Sequence, residues 1–326
     1  MAASLRDPPL YMISASQRLC GRFLPLLLAI LAPLAHAQAP IEEVLVTGEH
    51  PGPGLWKISR ADHTLWVLGT HAPLPARLTW RSQEVEWVIT EAQQVIGPYS
   101  AAISLRGGDP FATNGPPLRK LLPRKRYAQW RALKEKYIGE SEEIERALPV
   151  TAALVLRSAA FERAGLTNAD QIWRQIYELA GRYGVPVSAS HQLDKEIDWD
   201  ARRDAKRAER VGVEFLISTM SSLESDLRAA RTRANAWASG DVEALRGQAA
   251  ADRDLAYLYA GSWPFLENAE LKALLASADT RWLAAAERAL KRNATTFAAL
   301  PIFMLLREDG LLHSLRALGY DVEEPE

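Results

Sequence analysis

Residues 55–70 read LWKISRADHTLWVLGT, and this run predicts two neighbouring strands at the start of a sheet. Leu55–Arg60 alternates, with Trp56 and Ile58 on one face, as a half-buried strand does. His63–Thr70 is almost wholly apolar, which is typical of a central strand buried on both faces. Only a short turn separates the two strands, so we expect them to be neighbours in the sheet.

A helix and a third strand should follow. Valine and isoleucine recur at helical spacing between Trp80 and Gln94, which predicts a helix there with Thr79 as its N-cap. Val95–Tyr99 then predicts a short strand. The segment 100–117 is rich in glycine, proline and small residues, so we interpret it as a loop.

The middle of the chain is mostly helical in pattern. Residues 118–182 carry helical apolar stripes, and Val185–Ser190 predicts a strand after them. The clearest periodicity comes next and predicts a long amphipathic helix that stops at Gly240, with Asp241 capping the following helix. Its stripe consists of Leu216, Met220, Leu223, Leu227, Ala230, Ala234 and Trp237.

The C-terminal segment again alternates helices with strands. We predict a helix over Asp279–Arg292, a strand over Thr295–Leu300, a helix over Gly310–Leu318 capped by Asp309, and a last strand over Tyr320–Val322. Strands at both ends with helices between them predict an α+β fold. In this fold the N- and C-terminal segments form one mixed β-sheet, and the helical middle packs against it.

Residues 1–37 have the features of a cleavable signal peptide. Two arginines precede the apolar run Phe23–Ala35, and Ala35-His36-Ala37 supplies a small-x-small cleavage pattern. The run is shorter than the roughly 20 apolar residues of a membrane span, although an uncleaved anchor is the alternative. A start at Met12 would give a leader of ordinary length. We therefore expect a periplasmic or otherwise exported protein, cleaved near Ala37, with no transmembrane helix in the mature chain.

The mature chain should consist of an arm and one domain. Residues 38–54 have the proline and glycine content of a flexible arm and linker, and 55–326 is the predicted domain. Within the arm, the segment 41–48 resembles the opening segment of TonB-dependent outer-membrane receptors. It could pair with a sheet edge of a partner, and a mobile N-terminus is the alternative.

The composition excludes several classes of function. The formal net charge is −1, so no basic surface points to nucleic acid as a partner. The single cysteine, Cys20, lies in the leader, which leaves the mature chain without a disulfide, a thiolate metal site or a cysteine nucleophile. The chain also lacks a phosphate-binding glycine loop and a Gly-x-Ser-x-Gly elbow.

Three segments resemble the TraB/GumN family. Residues 55–89 contain LW-x₇-LW-x-LGT and then LP-x₃-TWRS, residues 295–322 contain DGLL-x₂-LR-x₂-GY, and Ala234–Leu245 is similar to the middle of the family. The family in turn resembles the Tiki proteins, which are implicated as metal-dependent peptidases. The resemblance implies two Gly-x-x-His motifs, a glutamate and an arginine that would gather around a divalent metal.

The implied ligands do not match this sequence. The first motif begins with Gly69 and Thr70, but its histidine position is Ala72. The histidine position of the second motif is Met304, and the expected glutamate falls near Gly97-Pro98. We therefore interpret the chain as a divergent member without the family's metal site. No cofactor is predicted.

Two functional hypotheses remain. The first is a non-catalytic protein of the cell envelope that binds an unknown envelope protein, a peptide or a polysaccharide. The second is a metal-dependent hydrolase or peptidase with a rearranged site. Its candidate residues are His71, Glu84, Glu91 and Arg281. His71 directly precedes the motif position, so on a regular strand its side chain should point away from the expected pocket, unless a bulge changes the register.

Overall fold

The described part of the chain comprises residues 52–97, 100–106, 115–167, 171–188, 192–198, 201–246 and 268–325 of a computed structural model. The leader and residues 38–51 of the arm, which include the segment 41–48, lie outside the described residues. No helix within the described ranges has both the length and the apolarity needed to cross a membrane.

Five strands from the two ends of the domain form the main sheet. In spatial order they are β4, β8, β2, β1 and β9. β2 and β4 both run parallel to β8, whereas β1 is antiparallel to β2 and to β9. The strands within the described residues are β1 Trp56–Arg60, β2 His63–Thr70, β3 Leu74–Pro75, β4 Gln94–Ile96, β5 Ser100–Arg106, β6 Leu166–Thr167, β7 Gln192–Asp198, β8 Thr295–Pro301 and β9 Asp321–Glu323.

This arrangement confirms the α+β prediction and the sheet built from both chain ends. β2 lies between β8 and β1, and Leu65, Val67 and Leu68 on it are completely buried. An almost wholly apolar strand is stable in such a place because both of its faces are covered. β8 is equally apolar, with Thr296 to Leu300 all buried.

Helices cover the sheet and build a second core. The described helices are α1 Gln83–Glu91, α2 Leu118–Leu121, α3 Arg124–Tyr137, α4 Pro149–Arg163, α5 Gln171–Tyr183, α6 Ala201–Ser239, α7 Val242–Arg246, α8 Asn268–Arg292, α9 Ile302–Leu305 and α10 Leu311–Ala317. A short 3₁₀ turn, Glu143–Arg146, precedes α4. The prediction of helix over 118–182 is right for most of the range, but Pro123 and Pro149 divide it into separate helices. It is wrong at Leu166–Thr167, which form β6 by pairing with β3.

The helix α6 connects the two cores. It has 39 residues and is about 58 Å long at 1.5 Å per residue. Its predicted stripe is confirmed, because all seven side chains are buried. Leu216 to Ala230 pack in the helical core with α3 and α4, whereas Ala234 and Trp237 pack in the core of the main sheet.

Two predictions about the segments beside the main sheet are wrong. Residues 100–106 form β5 instead of a loop, because β7 pairs with them in parallel over the whole strand. The predicted strand Val185–Ser190 is reduced to one bridge between Val187 and Val95, and the actual strand is β7. β7 has the sequence QLDKEID, in which five of seven residues are polar or charged, so its composition is unlike that of a typical strand and its partner identifies it.

The caps differ from expectation at two of three helices. The first helix is shorter than predicted and begins after Ser82, whose Oγ accepts a hydrogen bond from Val85 N at 3.2 Å, so Ser82 replaces Thr79 as the cap. The cap of α7 is confirmed, since Asp241 Oδ1 accepts from Ala244 N at 2.9 Å. α10 begins after Gly310 without a side-chain cap, so the prediction for Asp309 is wrong.

Candidate functional site

The two family-motif segments meet at one edge of the main sheet. β2 and β8 are parallel neighbours, and their last paired residues are Thr70 and Pro301. Both strands therefore end at the same edge, where Gly69 to Ala72 follow one strand and Met304 follows the other. Ligands of sheets with parallel strands commonly bind outside the carboxyl ends of those strands. We call this place the motif edge.

Gly69 fits the motif edge because no side chain has room there. A Cβ on Gly69 would lie 2.7 Å from Ile302 Cγ1 and 3.0 Å from Trp56 Cζ3. The Gly69 carbonyl accepts a hydrogen bond of 2.7 Å from Trp237 Nε1. The end of β2 is thus held between the first residue of α9 on one side and the C-terminal part of α6 on the other.

Arg233 approaches the motif edge from α6. It precedes Trp237 by four residues, so both side chains lie on the same face of the helix. Arg233 is 8% exposed, which is rare for an arginine. Because Trp237 is bonded to Gly69, this face of α6 brings the buried guanidinium of Arg233 close to the end of β2.

His71 has an unusual environment. Its ring is half-buried, and its Nε2 is fully buried without a hydrogen-bond partner. Burial, together with the positive charge of Arg233, lowers the pKa of His71 from 6.5 to about 3. The imidazole is therefore neutral at physiological pH. An unpaired polar atom in such a place costs about 1–3 kcal/mol, so His71 would gain from a partner.

The side chains at the motif edge do not fit a divalent metal. Ala72 is exposed and offers only a methyl group, and Met304 is 7% exposed with its thioether in the core. A thioether suits soft metals rather than Zn²⁺ or Mn²⁺, and the charge of Arg233 opposes a dication beside His71. Across the described ranges, no three His, Cys, Asp or Glu side chains gather as ligands would.

The other candidate residues are spread over the domain. Glu84 lies in the first turn of α1 and is exposed at the surface, where the surrounding protein still raises the pKa of its carboxyl by desolvation. Glu91 is exposed at the opposite end of α1, close to Gln93, which bonds with Thr295 at the start of β8. That is the edge of the sheet away from His71.

The last two positions to place are Arg281 and Gly97, which lies where the family resemblance implies a glutamate. Arg281 is exposed on α8, next to the buried Trp282. Gly97 directly follows β4, and its N–H donates to Ser188 Oγ at 3.1 Å. The cation whose charge acts on His71 is Arg233, which the sequence analysis did not name as a candidate.

Sequence reasoning missed both Arg233 and the bond made by Trp237. A signal was present, because Arg233 lies three residues after Ala230 and four before Trp237, which is within the apolar stripe of α6. A charged residue in a buried stripe usually has a specific role. The stripe could have indicated a buried cation, but not that its neighbour would be His71.

A polar groove of about 450 Å³ lies between Ala76 and one face of α5. Ala76 follows His71 by five residues in the chain. The antiparallel pair β3 and β6 places it there by joining Leu74 to Thr167. The groove is lined by Ala76, Thr167, Gln171, Arg174, Gln175 and Glu178.

Comparison with known proteins identifies the family. Searches of curated proteins and of solved structures gave no match. The profile of the TraB/PrgY/gumN family, in contrast, matches residues 54–324. This range contains every described strand and the whole motif edge. The chain therefore belongs to the TraB/PrgY/gumN family.

Proposed function

We propose that this chain is an exported member of its family that binds a partner or ligand at the motif edge and does not hydrolyse peptides through a metal. The observation that carries the proposal is the replacement of both motif histidines, one by an exposed alanine and the other by a methionine in the core. A metallopeptidase needs about three side-chain ligands around one point.

The electrostatics at the motif edge support binding over metal chemistry. A metal site is normally negative before the ion enters, because carboxylates and neutral histidines face it. Here the positive charge of a buried arginine, Arg233, acts on the neutral histidine His71. This pair attracts groups that accept hydrogen bonds or carry negative charge, and it repels cations.

The proposed place of action is the cell envelope. The leader over residues 1–37 supports export, and the family resemblance suggests an envelope protein, a peptide or a polysaccharide as partner. Fold similarity alone does not define a ligand. The ligand must therefore be inferred from the residues at the motif edge.

A metal-dependent hydrolase with a rearranged site is the second candidate function. One observation favours it: the Nε2 of His71 has no partner and carries no charge at neutral pH, as a metal ligand requires. The two candidates predict different results in one experiment.

The experiment measures metal content and hydrolysis in the same preparation. The purified protein is incubated with Zn²⁺ or Mn²⁺, dialysed and analysed for bound metal, and then assayed with a mixture of peptides. Matched variants are His71→Ala and His313→Ala, since His313 is an exposed histidine on α10.

We expect less than about 0.1 equivalent of metal and no cleavage in all three proteins, because one histidine next to an arginine is a poor ligand set. One equivalent of metal that disappears in His71→Ala but stays in His313→Ala would overturn the proposal. Metal-dependent cleavage with the same pattern would establish the second candidate.

A further inference from the structure

We propose that the polar groove beside α5 binds a neutral oligosaccharide. The groove has a volume of about 450 Å³, which lies within the roughly 300–1,000 Å³ range of small-molecule sites. None of its lining residues belongs to the motif edge. The proposal therefore adds a second binding place and does not depend on the ligand of the first.

One wall of the groove is a continuous face of α5. Its lining residues follow one another at helical spacing, which places all of them on one side of the helix; they are Gln171, Arg174, Gln175 and Glu178. Within the described residues, none of these four side chains makes a hydrogen bond or an ion pair. Arg174 and Glu178 remain unpaired although a spacing of four residues would allow an ion pair. The wall thus presents polar groups that a ligand can use.

The chemistry of this wall selects the class of ligand. Side-chain amides, a guanidinium and a carboxylate are planar groups that each present neighbouring polar atoms. Adjacent hydroxyls of a sugar match such groups, because every hydroxyl can both donate and accept a hydrogen bond. An apolar ligand would need an apolar lining, and of the six lining residues Ala76 alone is apolar.

The charge of the groove favours a neutral sugar. Its lining contains one arginine, Arg174, and one glutamate, Glu178, so the formal charges cancel. A phosphate or an acidic sugar would be attracted by the first residue and repelled by the second at similar range. Hydroxyl groups, in contrast, can donate to the carboxylate and accept from the guanidinium.

An exposed aromatic ring lies beside the same wall. Tyr177 is 45% exposed and follows Arg174 by three residues, a spacing that leaves about 5–6 Å between Cβ atoms. Its ring packs against the buried ring of Trp173, with 5.5 Å between the centroids and an angle of 39° between the planes. The face of an aromatic ring is negative and attracts the weakly positive C–H groups of a sugar ring. Tyr177 can therefore add a stacking contact to the hydrogen bonds of the groove.

The opposite wall explains why a peptide is the weaker candidate. Peptides commonly bind by pairing with a free strand edge or by placing apolar side chains in a groove. Here Ala76 N already donates to Gly165 O at 2.9 Å, next to the pair formed by β3 and β6. A peptide would find neither a free backbone donor at Ala76 nor an apolar lining.

The test measures binding of defined sugars to the purified protein, made from the full chain, by saturation-transfer NMR titration. The probes are five neutral hexasaccharides: maltohexaose, cellohexaose, laminarihexaose, xylohexaose and mannohexaose. The neutral peptide acetyl-Gly-Ser-Gly-Ser-Gly-Ser-amide serves for comparison. We expect at least one hexasaccharide to bind with a Kd of about 1 mM or lower, and at least about tenfold more tightly than the peptide.

Two pairs of variants assign the binding to the groove. Arg174→Gln should weaken binding of the best hexasaccharide at least about tenfold, because it removes a charged hydrogen-bond donor. Arg131→Gln removes the same charge from an exposed position of α3 and should leave the Kd unchanged. Ala76→Trp fills the groove from an exposed position and should also weaken binding at least about tenfold. Ala128→Trp adds the same ring to an exposed position of α3 and should have no effect.

A third pair tests the stacking contact. Selective irradiation of the aromatic protons should transfer saturation to the C–H protons of the bound sugar. Tyr177→Ala should reduce this transfer and weaken binding, whereas Tyr183→Ala, which removes another exposed ring of α5, should do neither. Circular dichroism of every variant verifies that it is folded.

Four results would overturn the inference: no binding of any of the five hexasaccharides, a peptide that binds as tightly as the best sugar, equal losses in Arg174→Gln and Arg131→Gln, or unchanged binding in Ala76→Trp. Tighter binding of the peptide would assign the groove to peptides instead. The proposed function is tested by metal content and cleavage at His71, which lies outside the groove lining. The two proposals can therefore fail separately.

Discussion

Replacing Gly69 with alanine should destabilise the protein, although alanine is normally the better residue within a strand. Gly69 does not have a positive φ, so alanine can adopt its backbone conformation. Alanine also restricts the unfolded chain, which alone would stabilise the native state by about 0.4–1 kcal/mol. The expected loss therefore comes entirely from the packing around the new methyl group.

The size of that loss follows from three atoms. The new Cβ would lie 2.7 Å from Ile302 Cγ1, 2.9 Å from Ile302 Cδ1 and 3.0 Å from Trp56 Cζ3. Ile302 is 3% exposed and Trp56 is completely buried, so neither can move into solvent. Overpacking of this kind costs about 1–3 kcal/mol. After the gain from the unfolded chain, we expect a net loss of about 1–2 kcal/mol.

The assay is equilibrium unfolding in urea, followed by circular dichroism and tryptophan fluorescence. Gly181→Ala is the matched control, because Gly181 lies in α5, lacks a positive φ and has open space where the Cβ would be. We expect the control to gain about 0.5–1 kcal/mol. The double variant Gly69→Ala/Ile302→Ala removes the two closest atoms and leaves the contact of 3.0 Å with Trp56, so Gly69→Ala should cost clearly less in the Ile302→Ala background.

Two results would refute this reasoning. The first is a Gly69→Ala protein as stable as the unaltered protein. The second is a penalty of undiminished size in the Ile302→Ala background, because the cause would then lie outside the contact with Ile302.

Three further predictions concern the motif edge and export. Trp237→Phe removes the donor to the buried Gly69 carbonyl and should cost about 2–4 kcal/mol in urea unfolding. Trp87→Phe is the exposed control and should change the free energy of unfolding by less than about 0.5 kcal/mol. An equal loss of stability in Trp237→Phe and Trp87→Phe would contradict a stabilising role of the hydrogen bond between Trp237 and Gly69. The pKa of His71 is about 3 in the folded protein and about 6.5 in the unfolded chain, so between these pH values the unfolded state binds more protons. The free energy of unfolding should therefore fall as the pH drops from 6.5 towards 3, and His71→Gln should flatten the curve; an imidazole that titrates near 6.5 by NMR in the folded protein would contradict this. Mass spectrometry of the exported protein should show cleavage after Ala37, and a chain that retains residues 1–37 would instead support the anchor alternative.

The sequence was sufficient to predict the centre of the sheet. β1, β2 and β8 are short runs of alternating or continuous apolar residues, and their own patterns identify them. The sequence analysis missed β5 and β7, because each of them is recognisable as a strand only by its pairing with the other. β7 is mostly polar, and an ion pair between Arg106 and Glu196 joins it to β5. Such strands depend on tertiary contacts rather than on local pattern.

The candidate site was predictable only in part. The parallel strands that end at Gly69 and near Met304 follow from the apolar runs and the family resemblance. The neighbourhood of His71 and Arg233 does not, because the two residues lie far apart in the chain and only the packing of α6 brings them together. The shift in the pKa of His71 has the same origin, since burial and a distant charge cause it.

The two ends of the described domain lie side by side. A Cβ on Gly54 would be 2.8 Å from Pro325 Cβ, and a Cβ on Gly52 would be 3.1 Å from Trp237, which is bonded to Gly69. A fusion partner attached directly before Gly52 or directly after Pro325 would consequently crowd the motif edge. Circular permutation offers a remedy, because a short linker could join the present ends. New termini at Gly139, in a turn with open space around it, would leave the edge free for surface immobilisation.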